Sequence, residues 1–279
     1  MPEKSYPSFP FAAKPNPARL RLQVLPERFL THIDLALVLP ALLACFLGGV
    51  LKGATGAGAP VIGVPVLAAL TNVQFAVAVF VTSNVLTNVK QAWEYRKAQL
   101  PWPFMVLFAG GGALGAIAGT FLLAGLPSDT LSIAMATVVL GYVGFRIFKA
   151  DWMLSYAAGL RLSGPIGFLG GALQGATGIS APASITFLNA LKLPRSTFIA
   201  TISVFFIVMS IGQIEQLIVV GLLDWYRFFL GLGVTVAISL FMPLGNYLAR
   251  HLSKETFDKI MLGLLTLIAA KILVQELFF

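Results

Sequence analysis

FLGGVLKGATGAGAP, residues 46–60, is the stretch that decides the fold, because it occurs a second time as FLGGALQGATGISAP at residues 168–182. Eleven of the fifteen positions agree at a constant offset of 122 residues. A motif repeated at one fixed spacing is typical of a duplicated structural unit. In each copy Gly, Thr and Pro interrupt an apolar run, which predicts a broken membrane helix. Backbone polar groups freed inside a bilayer need protein or a wet cavity as partners, so the two breaks predict a shared cavity, a candidate transport site.

The composition of the chain is that of an integral membrane protein. Of its 279 residues, 58% are hydrophobic and 11% are charged, against roughly 25% charged residues in ordinary soluble domains. Mean hydropathy is +0.88. The net charge of +8 comes from short loops between apolar runs, with no Cys/His finger or basic helix, which argues against nucleic acid as a partner. Cys45 is the only cysteine, so an intrachain disulfide is excluded, and we interpret it as a small packed hydrophobe.

We expect three regions along the chain: a basic, proline-rich N-terminal arm at 1–31, a first membrane repeat at 32–150 and a second membrane repeat at 151–279. The arm holds six prolines and five Lys or Arg residues. It lacks the short apolar core and small-residue cleavage site of a signal peptide, so we interpret it as a flexible or surface-lying segment. The two repeats together form one integral domain.

The apolar runs of the two repeats follow the same order. Each repeat begins with a run that meets the glycine motif, and continues with a piece too short to cross a bilayer, since crossing takes roughly 20 helical residues. Three further spans follow. The predicted fold is an all-α, polytopic membrane protein of two repeats, each with a broken or short helix at a Gly-rich motif plus three spans. The expected segments are 33–51, 59–70, 75–89, 104–126 and 131–148, then 165–174, 183–191, 198–220, 228–248 and 257–277.

Loop charges bear on the orientation of the two repeats. Basic loops lie near 90–101, 146–163, 192–195 and 250–259, whereas the loops near 71–74 and 126–128 hold no Lys or Arg. If each repeat counts five membrane segments, every basic loop faces one side, as the positive-inside rule expects, and the repeats are inverted. If each broken pair crosses only once, the basic loops divide between the two sides. We favour the inverted repeat, although it places the basic arm outside.

Lys52 is the strongest candidate for a ligand-binding side chain. It stands beside Gly53 at the end of a long apolar run, and a cation deep in a membrane helix costs on the order of 3 kcal/mol. A negatively charged substrate would compensate that charge. The helix that begins after Pro60 points its free N–H groups and positive dipole end at the same break. The alternative is that the helix ends at Lys52 and the amine snorkels to the lipid headgroups.

The remaining candidates surround the two breaks. Glycines let the backbone approach an oxyanion closely, hydroxyls offer donors, and the repeat sets the neutral Gln174 opposite Lys52. Asn84 and Asn88 share a helical face, where they line the cavity or hydrogen-bond another helix. For the glycines and threonines the alternative is close helix packing. The full set of candidate substrate-binding residues is Lys52, Gly53, Thr55, Gly56, Gly58, Asn84, Asn88, Gln174, Gly175, Thr177, Gly178 and Ser180.

No catalytic, metal or cofactor site is expected. Lys52 precedes Gly53 and no GK[ST] triplet follows, so the motif is not a Walker loop. His32 and His251 stand at segment ends as ordinary interface residues, and no Cys/His set has metal-ligand spacing. Proton-coupled carriers often hold a buried Asp, Glu or His, and Glu215 is the nearest candidate. An exported anion needs no such relay, because the inside-negative potential drives it out.

Several motifs stand in a recognisable order: GATGAGAP and its repeat GATGISAP, YRKAQLPW at 95–102, GGGALGAIAG at 110–119 and PLGNYLARHLSKETF at 243–257. With them the sequence resembles the sulfite exporter TauE/SafE family of anion permeases over roughly residues 35–279. The resemblance implies a multi-pass permease for small sulfur-containing anions such as sulfite, thiosulfate or organosulfonates, for example sulfoacetate. The second copy has Ile179 and Ser180 where the first has Ala57 and Gly58, which puts an equal role of the two copies in question.

We therefore expect a secondary transporter in the cytoplasmic membrane, with export as the direction. The expected partners are a small anionic substrate and the lipid bilayer, with no nucleic acid, no cofactor, and a homodimer as one possible assembly. Two alternatives from other classes stay open. One is an anion channel, or a carrier of carboxylates or other organic anions, and the other is a structural or lipid-handling membrane protein.

Overall fold

The computed structural model describes residues 35–56, 58–148, 152–251 and 254–278. The chain forms two compact units, Met1–Leu39 and Pro40–Phe279, and of the first unit only residues 35–39 are described, as helix. The predicted arm at 1–31 and His32 lie outside the described residues. Within the described ranges the chain forms α-helices, one short 3-10 helix at Arg96–Ala98 and no strand. The helices are α1 (Leu35–Thr55), α2 (Ala59–Ala68), α3 (Val73–Glu94), α4 (Trp102–Gly125), α5 (Ser128–Phe148), α6 (Tyr156–Thr177), α7 (Ser184–Ala190), α8 (Arg195–Val219), α9 (Trp225–His251) and α10 (Lys254–Phe278).

Long and short helices follow each other in the order that the sequence predicts. One long helix, one short helix and three long helices occur twice, first as α1 to α5 and then as α6 to α10. By length and composition, α3, α4, α5, α8 and the part of α9 at Trp225–Leu248 could each cross a membrane. Ala41–Thr55 of α1 and the whole of α2 are shorter apolar helices. The all-α, polytopic fold class is confirmed, whereas the structural repeat and the domain boundaries stay predictions.

The two helices that carry the motifs extend further than the apolar runs indicate. α1 ends at Thr55, past the expected end at 51, and α6 begins at Tyr156 rather than near 165. The Ser155 hydroxyl caps α6 by accepting a hydrogen bond from the Ala158 N–H at 3.3 Å. Each glycine disfavours an isolated helix by about 1 kcal/mol. Both glycine-rich stretches are nevertheless helical, because neighbouring helices pack closely against them.

Glycines bring the first helix of each half of the chain against the fourth helix of the other half. A Cβ atom at Gly115 of α4 would lie 2.0 Å from a carbonyl oxygen of α6. A Cβ atom at Gly53 of α1 would likewise lie 2.0 Å from a carbonyl oxygen of α9. No side chain fits at such a distance, so these helices meet backbone to backbone. Gly111 and Gly119 approach α6 in the same way, which agrees with their interpretation as packing residues.

Two contacts give the relative direction of α4 and α8. The rings of Phe108 and Phe205 stack with their centroids 4.2 Å apart. Further along both helices, the Ala113 carbonyl oxygen lies 3.4 Å from the position that a Cβ atom of Gly212 would take. The residue numbers rise together along the two helices, so α4 and α8 run parallel.

The same reasoning applies to α3 and α9. The Arg227 guanidinium lies 5.8 Å from the centroid of the Phe75 ring. Further along, the Val79 carbonyl oxygen lies 2.6 Å from a Cβ atom placed on Gly231, so α3 and α9 also run parallel. Short connections make consecutive long helices antiparallel, hence α3 runs opposite to α4 and to α8. Five membrane segments per repeat predict these directions. Eight spans in total, with each broken pair crossing once, would make α3 and α9 antiparallel. The inversion itself stays a prediction.

The hydrophobic core has two parts. Aromatic rings of α4, α7 and α8 form one part, in which Phe104 and Phe187 stack at 6.0 Å. Aliphatic residues of α2, α3, α5 and α10 fill the larger part, among them Ile62, Leu131 and Ile272. Most buried amides and hydroxyls of α3 and α8 lie outside both clusters, and these polar residues define the candidate site.

Candidate functional site

The helices before the two breaks end with the same backbone geometry. α1 is followed by Gly56 in the left-handed conformation, with φ of 78°, and the Gly56 N–H donates to the Lys52 carbonyl oxygen at 2.8 Å. α6 is followed by Gly178 with φ of 75°, and its N–H donates to the Gln174 carbonyl oxygen at 2.7 Å. This is the common cap in which a left-handed glycine closes a helix by a five-to-one hydrogen bond. The repeated motif therefore encodes one helix ending, used twice.

Gly178→Ala is expected to lower the free energy of unfolding by at least about 1–2 kcal/mol, because a left-handed backbone costs an L-residue about that much. The added Cβ atom would also lie 2.8 Å from Cγ1 of Val64. Thermal melting of the purified protein measures the effect. Gly125→Ala is the matched control, since a Cβ atom there meets nothing within 4 Å. Equal melting temperatures for the two variants would contradict the strained cap.

Lys52 lies in the last turn of α1 and is 0% exposed. Its Nζ donates a hydrogen bond to Oδ1 of Asn88 at 3.0 Å. Among the described residues no carboxylate comes within 4.0 Å of the amine. The interpretation that this amine snorkels to headgroups is wrong, because the side chain is enclosed by protein. A buried ammonium with an amide oxygen and no counter-charge is a site that favours an anion.

Asn88 connects this hydrogen bond to Asn84 of α3 and, through Asn84, to Ser210 of α8. Its Nδ2 donates to Asn84, to the carbonyl oxygen at 2.6 Å and to Oδ1 at 3.0 Å. Nδ2 of Asn84 in turn donates to Oγ of Ser210 at 3.0 Å. Lysine has no acceptor, so its ammonium sets the orientation of both amides. The result is a polar network of Lys52, Asn88, Asn84 and Ser210. In this network each amide accepts a hydrogen bond from the side of Lys52 and donates one toward Ser210.

The repeat sets Gln174 opposite Lys52, and this placement stays a prediction. Gln174 is buried, and its main-chain carbonyl oxygen accepts a hydrogen bond from Nε2 of Gln213 at 3.3 Å. Gln213 is on α8, one turn beyond Ser210 of the polar network. In the described part of the chain the two equivalent residues are therefore linked through the α3–α8 contact.

The two breaks themselves lie near opposite ends of that contact. A Cβ atom at Gly56 would lie 2.4 Å from Cγ1 of Ile199, in the second turn of α8. A Cβ atom at Gly178 would lie 3.0 Å from Cγ2 of Val77, in the second turn of α3. Because α3 and α8 are antiparallel, their first turns are at opposite ends. A single pocket shared by both breaks stays a prediction.

The predicted hydroxyl donors make local hydrogen bonds. Thr55 and Thr177 donate to the Leu51 and Leu173 carbonyl oxygens, at 2.8 and 2.7 Å. The Ser180 hydroxyl accepts from the Ser184 hydroxyl at 3.0 Å. These contacts orient the three hydroxyls within the helix ends.

The glycines of the motif divide between packing and capping. Gly53 and Gly175 sit where helices meet, since their Cβ atoms would lie 2.0 and 2.3 Å from carbonyl oxygens of α9 and α4. Gly58 precedes α2 with φ of 101°, a conformation that glycine adopts without strain. The packing alternative thus describes Gly53 and Gly175, and left-handed backbone explains Gly56, Gly58 and Gly178.

Sequence reasoning missed the residues of α8. Ser210 completes the polar network, and Gln213 donates to Gln174 before the second break. Both stand in the apolar run 198–220, which we interpreted only as a membrane span. Arg195 was also missed: its Nη2 donates to the Ala54 carbonyl oxygen at 3.3 Å, beside the first break. The available signal was the spacing of Ser210 and Gln213, which puts them on one helical face.

Other parts of the described structure hold no comparable site. A cavity of 120 Å³ is lined by residues 68–72, Ser128, Ser132 and Glu276, none of which belongs to the polar network. No group of three His, Cys, Asp or Glu side chains that could hold a metal comes together in the described ranges. The buried amine of Lys52 is therefore the feature that a functional account has to explain.

Comparison with known proteins identifies a family. The family model described as Sulfite exporter TauE/SafE matches residues 41–272, which include the whole polar network and both helix breaks. No curated protein and no solved structure matches the chain.

Proposed function

Since the chain belongs to the sulfite exporter TauE/SafE family and is a multi-pass membrane protein of a transporter family, we propose that it is a secondary transporter of small sulfur-containing anions. The proposed substrates are sulfite, thiosulfate and organosulfonates such as sulfoacetate. The proposed direction is export across the cytoplasmic membrane. The observation that carries the proposal is the buried Lys52 amine, which has an amide oxygen but no carboxylate beside it in the described residues.

The polar network supports a binding role for that amine. An ammonium offers three donors, and Lys52 uses one of them on Asn88 among the described residues. An oxyanion that reaches the remaining donors gains a charge-assisted hydrogen bond in a buried site, where such bonds are strong. The anion also neutralises a charge whose burial costs on the order of 3 kcal/mol. Asn88 accepts one hydrogen bond from the amine and leaves its other donors to the anion.

Enclosure of the amine supports a carrier rather than an open pore. Lys52 is 0% exposed, so an anion reaches it only after the helices around it move. An anion that moves from one break to the other would pass the amide side chains of α3 and α8. A carrier with alternating access shows counterflow at zero membrane potential, whereas an anion channel does not. Uptake of labelled sulfite driven by an outward gradient of unlabelled sulfite, with the voltage held at zero, separates the two.

Sulfite flux in proteoliposomes tests the proposed function. Each negative charge that leaves a cell gains about 2.3 kcal/mol per 100 mV of inside-negative potential, so efflux needs no coupling ion. We expect sulfite efflux that speeds up when the interior is made negative with potassium and valinomycin. Acetate flux in the same vesicles tests the alternative of a carboxylate carrier. Sulfite efflux equal to that of empty vesicles, with any imposed voltage, would sink the proposal.

Asn88→Asp is expected to reduce sulfite flux by at least about tenfold, because a permanent carboxylate beside Lys52 competes with the anion for the amine. The variant keeps the shape of the side chain and gives the amine an ion pair, but it replaces the Nδ2 donor that bonds to two oxygens of Asn84. We therefore expect a lower melting temperature together with the lost flux, and flux is measured only on protein that elutes as folded in size-exclusion chromatography. Asn88→Asp flux at the wild-type rate would show that the anion does not use the amine at this position.

A further inference from the structure

The 120 Å³ cavity lies where three helix ends meet. It is lined by residues 68–72 at the end of α2, by Ser128 and Ser132 at the start of α5, and by Gln275 and Glu276 at the end of α10. A water molecule takes about 30 Å³ in the liquid, so the cavity has room for a small ion with a few waters. None of the described residues that line it is Lys, Arg or His. A ligand in this cavity therefore meets one carboxylate and otherwise neutral groups.

Ser132 is a buried polar residue that faces this cavity. It is 6% exposed and belongs to the lining. The buried hydroxyl of Thr120 donates to the Ala116 carbonyl oxygen of its own helix at 2.7 Å. In the described part of the chain the Ser132 hydroxyl makes no such bond, nor any other hydrogen bond. Buried polar groups in native proteins are nearly always paired, so this hydroxyl indicates a ligand in the cavity.

Glu276 gives the cavity a negative charge. It is half-buried and lies in the last turn of α10, which ends at Phe278. No basic nitrogen of the described residues comes within 4.0 Å of its carboxylate. The loops 71–74 and 126–128, which border the cavity, also contain no Lys or Arg. A carboxylate that is partly removed from water and has no counter-charge favours a cation beside it.

Two helix ends add to this negative potential. α2 and α10 both end at the cavity, and the last carbonyl groups of a helix together carry about half a negative charge. The carbonyl oxygens of Ala69 and Leu70 accept no main-chain hydrogen bond from the described residues. α5 brings a positive helix end to the same place, but Asp129 in its first turn offsets it. In secondary transporters the C-terminal ends of half-length helices coordinate sodium ions, and α2 is such a helix.

We propose that this cavity binds a sodium ion through the Glu276 carboxylate, the Ser132 hydroxyl and the carbonyl oxygens at the end of α2. Hard cations take oxygen ligands, which are the groups that these three helix ends present. One carboxylate among neutral oxygens balances a single positive charge, whereas calcium sites commonly combine several carboxylates. The ion would join the ends of α2, α5 and α10. The inference goes beyond the proposed function and does not depend on the anion site of Lys52.

Thermal melting of the purified full-length protein in NaCl and in choline chloride, at equal ionic strength, tests the proposal. A ligand that binds only the folded protein raises its stability by mass action. We therefore expect a saturable rise of the melting temperature with NaCl and none with choline, a quaternary ammonium ion that oxygen ligands do not coordinate closely. Glu276→Gln removes the charged ligand and is expected to weaken the sodium response at least about tenfold in concentration. Ser132→Ala removes one neutral ligand and is expected to weaken it less.

Glu94→Gln is the matched control, because Glu94 is an exposed carboxylate in the last turn of α3, away from the cavity. It is expected to keep the full sodium response. Equal melting of the wild type in NaCl and in choline chloride would overturn the proposal, and so would equal sodium responses of Glu276→Gln and Glu94→Gln. A response to calcium at lower concentration than to sodium would overturn the choice of a monovalent ion.

Ser132→Ala decides the matter if Glu276→Gln yields no folded protein, since it removes only a hydroxyl without a partner in the described residues. Sodium affinity at the wild-type value in Ser132→Ala would then overturn the assignment. These measurements contain no sulfite, so their failure leaves the proposed function standing. Sulfite flux equal to that of empty vesicles would likewise leave the sodium site standing.

Discussion

Lys52→Met is expected to reduce sulfite transport to the level of empty vesicles while the protein stays folded. The substitution keeps a long unbranched side chain and removes the positive charge. Without the ammonium the site offers an anion neutral donors only, inside a region where an uncompensated charge is strongly disfavoured. Initial rates of sulfite efflux from proteoliposomes measure the effect.

The same variant is expected to melt at a higher temperature than the wild type. Removal of the buried charge recovers on the order of 3 kcal/mol, and the Asn88 oxygen left without its donor costs about 1–2 kcal/mol of that. Loss of function with gain of stability is the signature of a residue kept for binding rather than for the fold. Lys97→Met is the control, because Lys97 is an exposed lysine of the 3-10 helix. A fall in the melting temperature for Lys52→Met alone would mean that the amine is a structural donor to Asn88.

Gly115→Ala is expected to have the largest effect on the fold. The added Cβ atom would lie 2.0 Å from the Phe168 carbonyl oxygen and 2.8 Å from the Ala172 amide nitrogen, both backbone atoms of α6 that no rotamer change can move. The helices must separate, and overpacking of a tight contact typically costs about 1–3 kcal/mol or more. We expect a lower melting temperature and a low yield of monodisperse protein in detergent.

Gly110→Ala gives the matched comparison for that result. Gly110 is on the same helix, and a Cβ atom there meets nothing within 4 Å. Alanine is the better helix former by about 1 kcal/mol, so this variant is expected to melt at the wild-type temperature or slightly above it. Similar melting of Gly110→Ala and Gly115→Ala would contradict the backbone-to-backbone contact of α4 and α6.

The repeated motif predicts the helix breaks well because backbone chemistry is local. Whether a glycine ends a helix in the left-handed conformation depends on a few neighbouring residues. Gly56 and Gly178 adopt this conformation at equivalent positions. Apolar run lengths likewise predict which helices are long and which are short. The predicted end of α1 and the predicted start of α6 were wrong by several residues, because tight packing of glycines outweighs their low helix propensity.

The partners across the structure could not be predicted in this way. Asn84 and Ser210 are 126 residues apart in sequence, and no local pattern states that their helices touch. The sequence allowed Lys52 to lie either at the lipid headgroups or in a buried site. Hydropathy alone does not distinguish an amine at a helix end from an amine enclosed by other helices. Equivalence in the repeat places Gln174 opposite Lys52, but no local pattern shows that Gln213 of α8 donates to the main-chain carbonyl oxygen of Gln174. Site geometry depends on which helices meet, and that is decided by packing over the whole chain.

The most direct test of the account is an experimental structure of the protein with selenite, an electron-dense analogue of sulfite, at a concentration that inhibits sulfite flux. The account predicts density for one anion within hydrogen-bond distance of Lys52 Nζ. An anion bound elsewhere, with the 3.0 Å bond between Lys52 and Asn88 intact and the amine untouched, would contradict it.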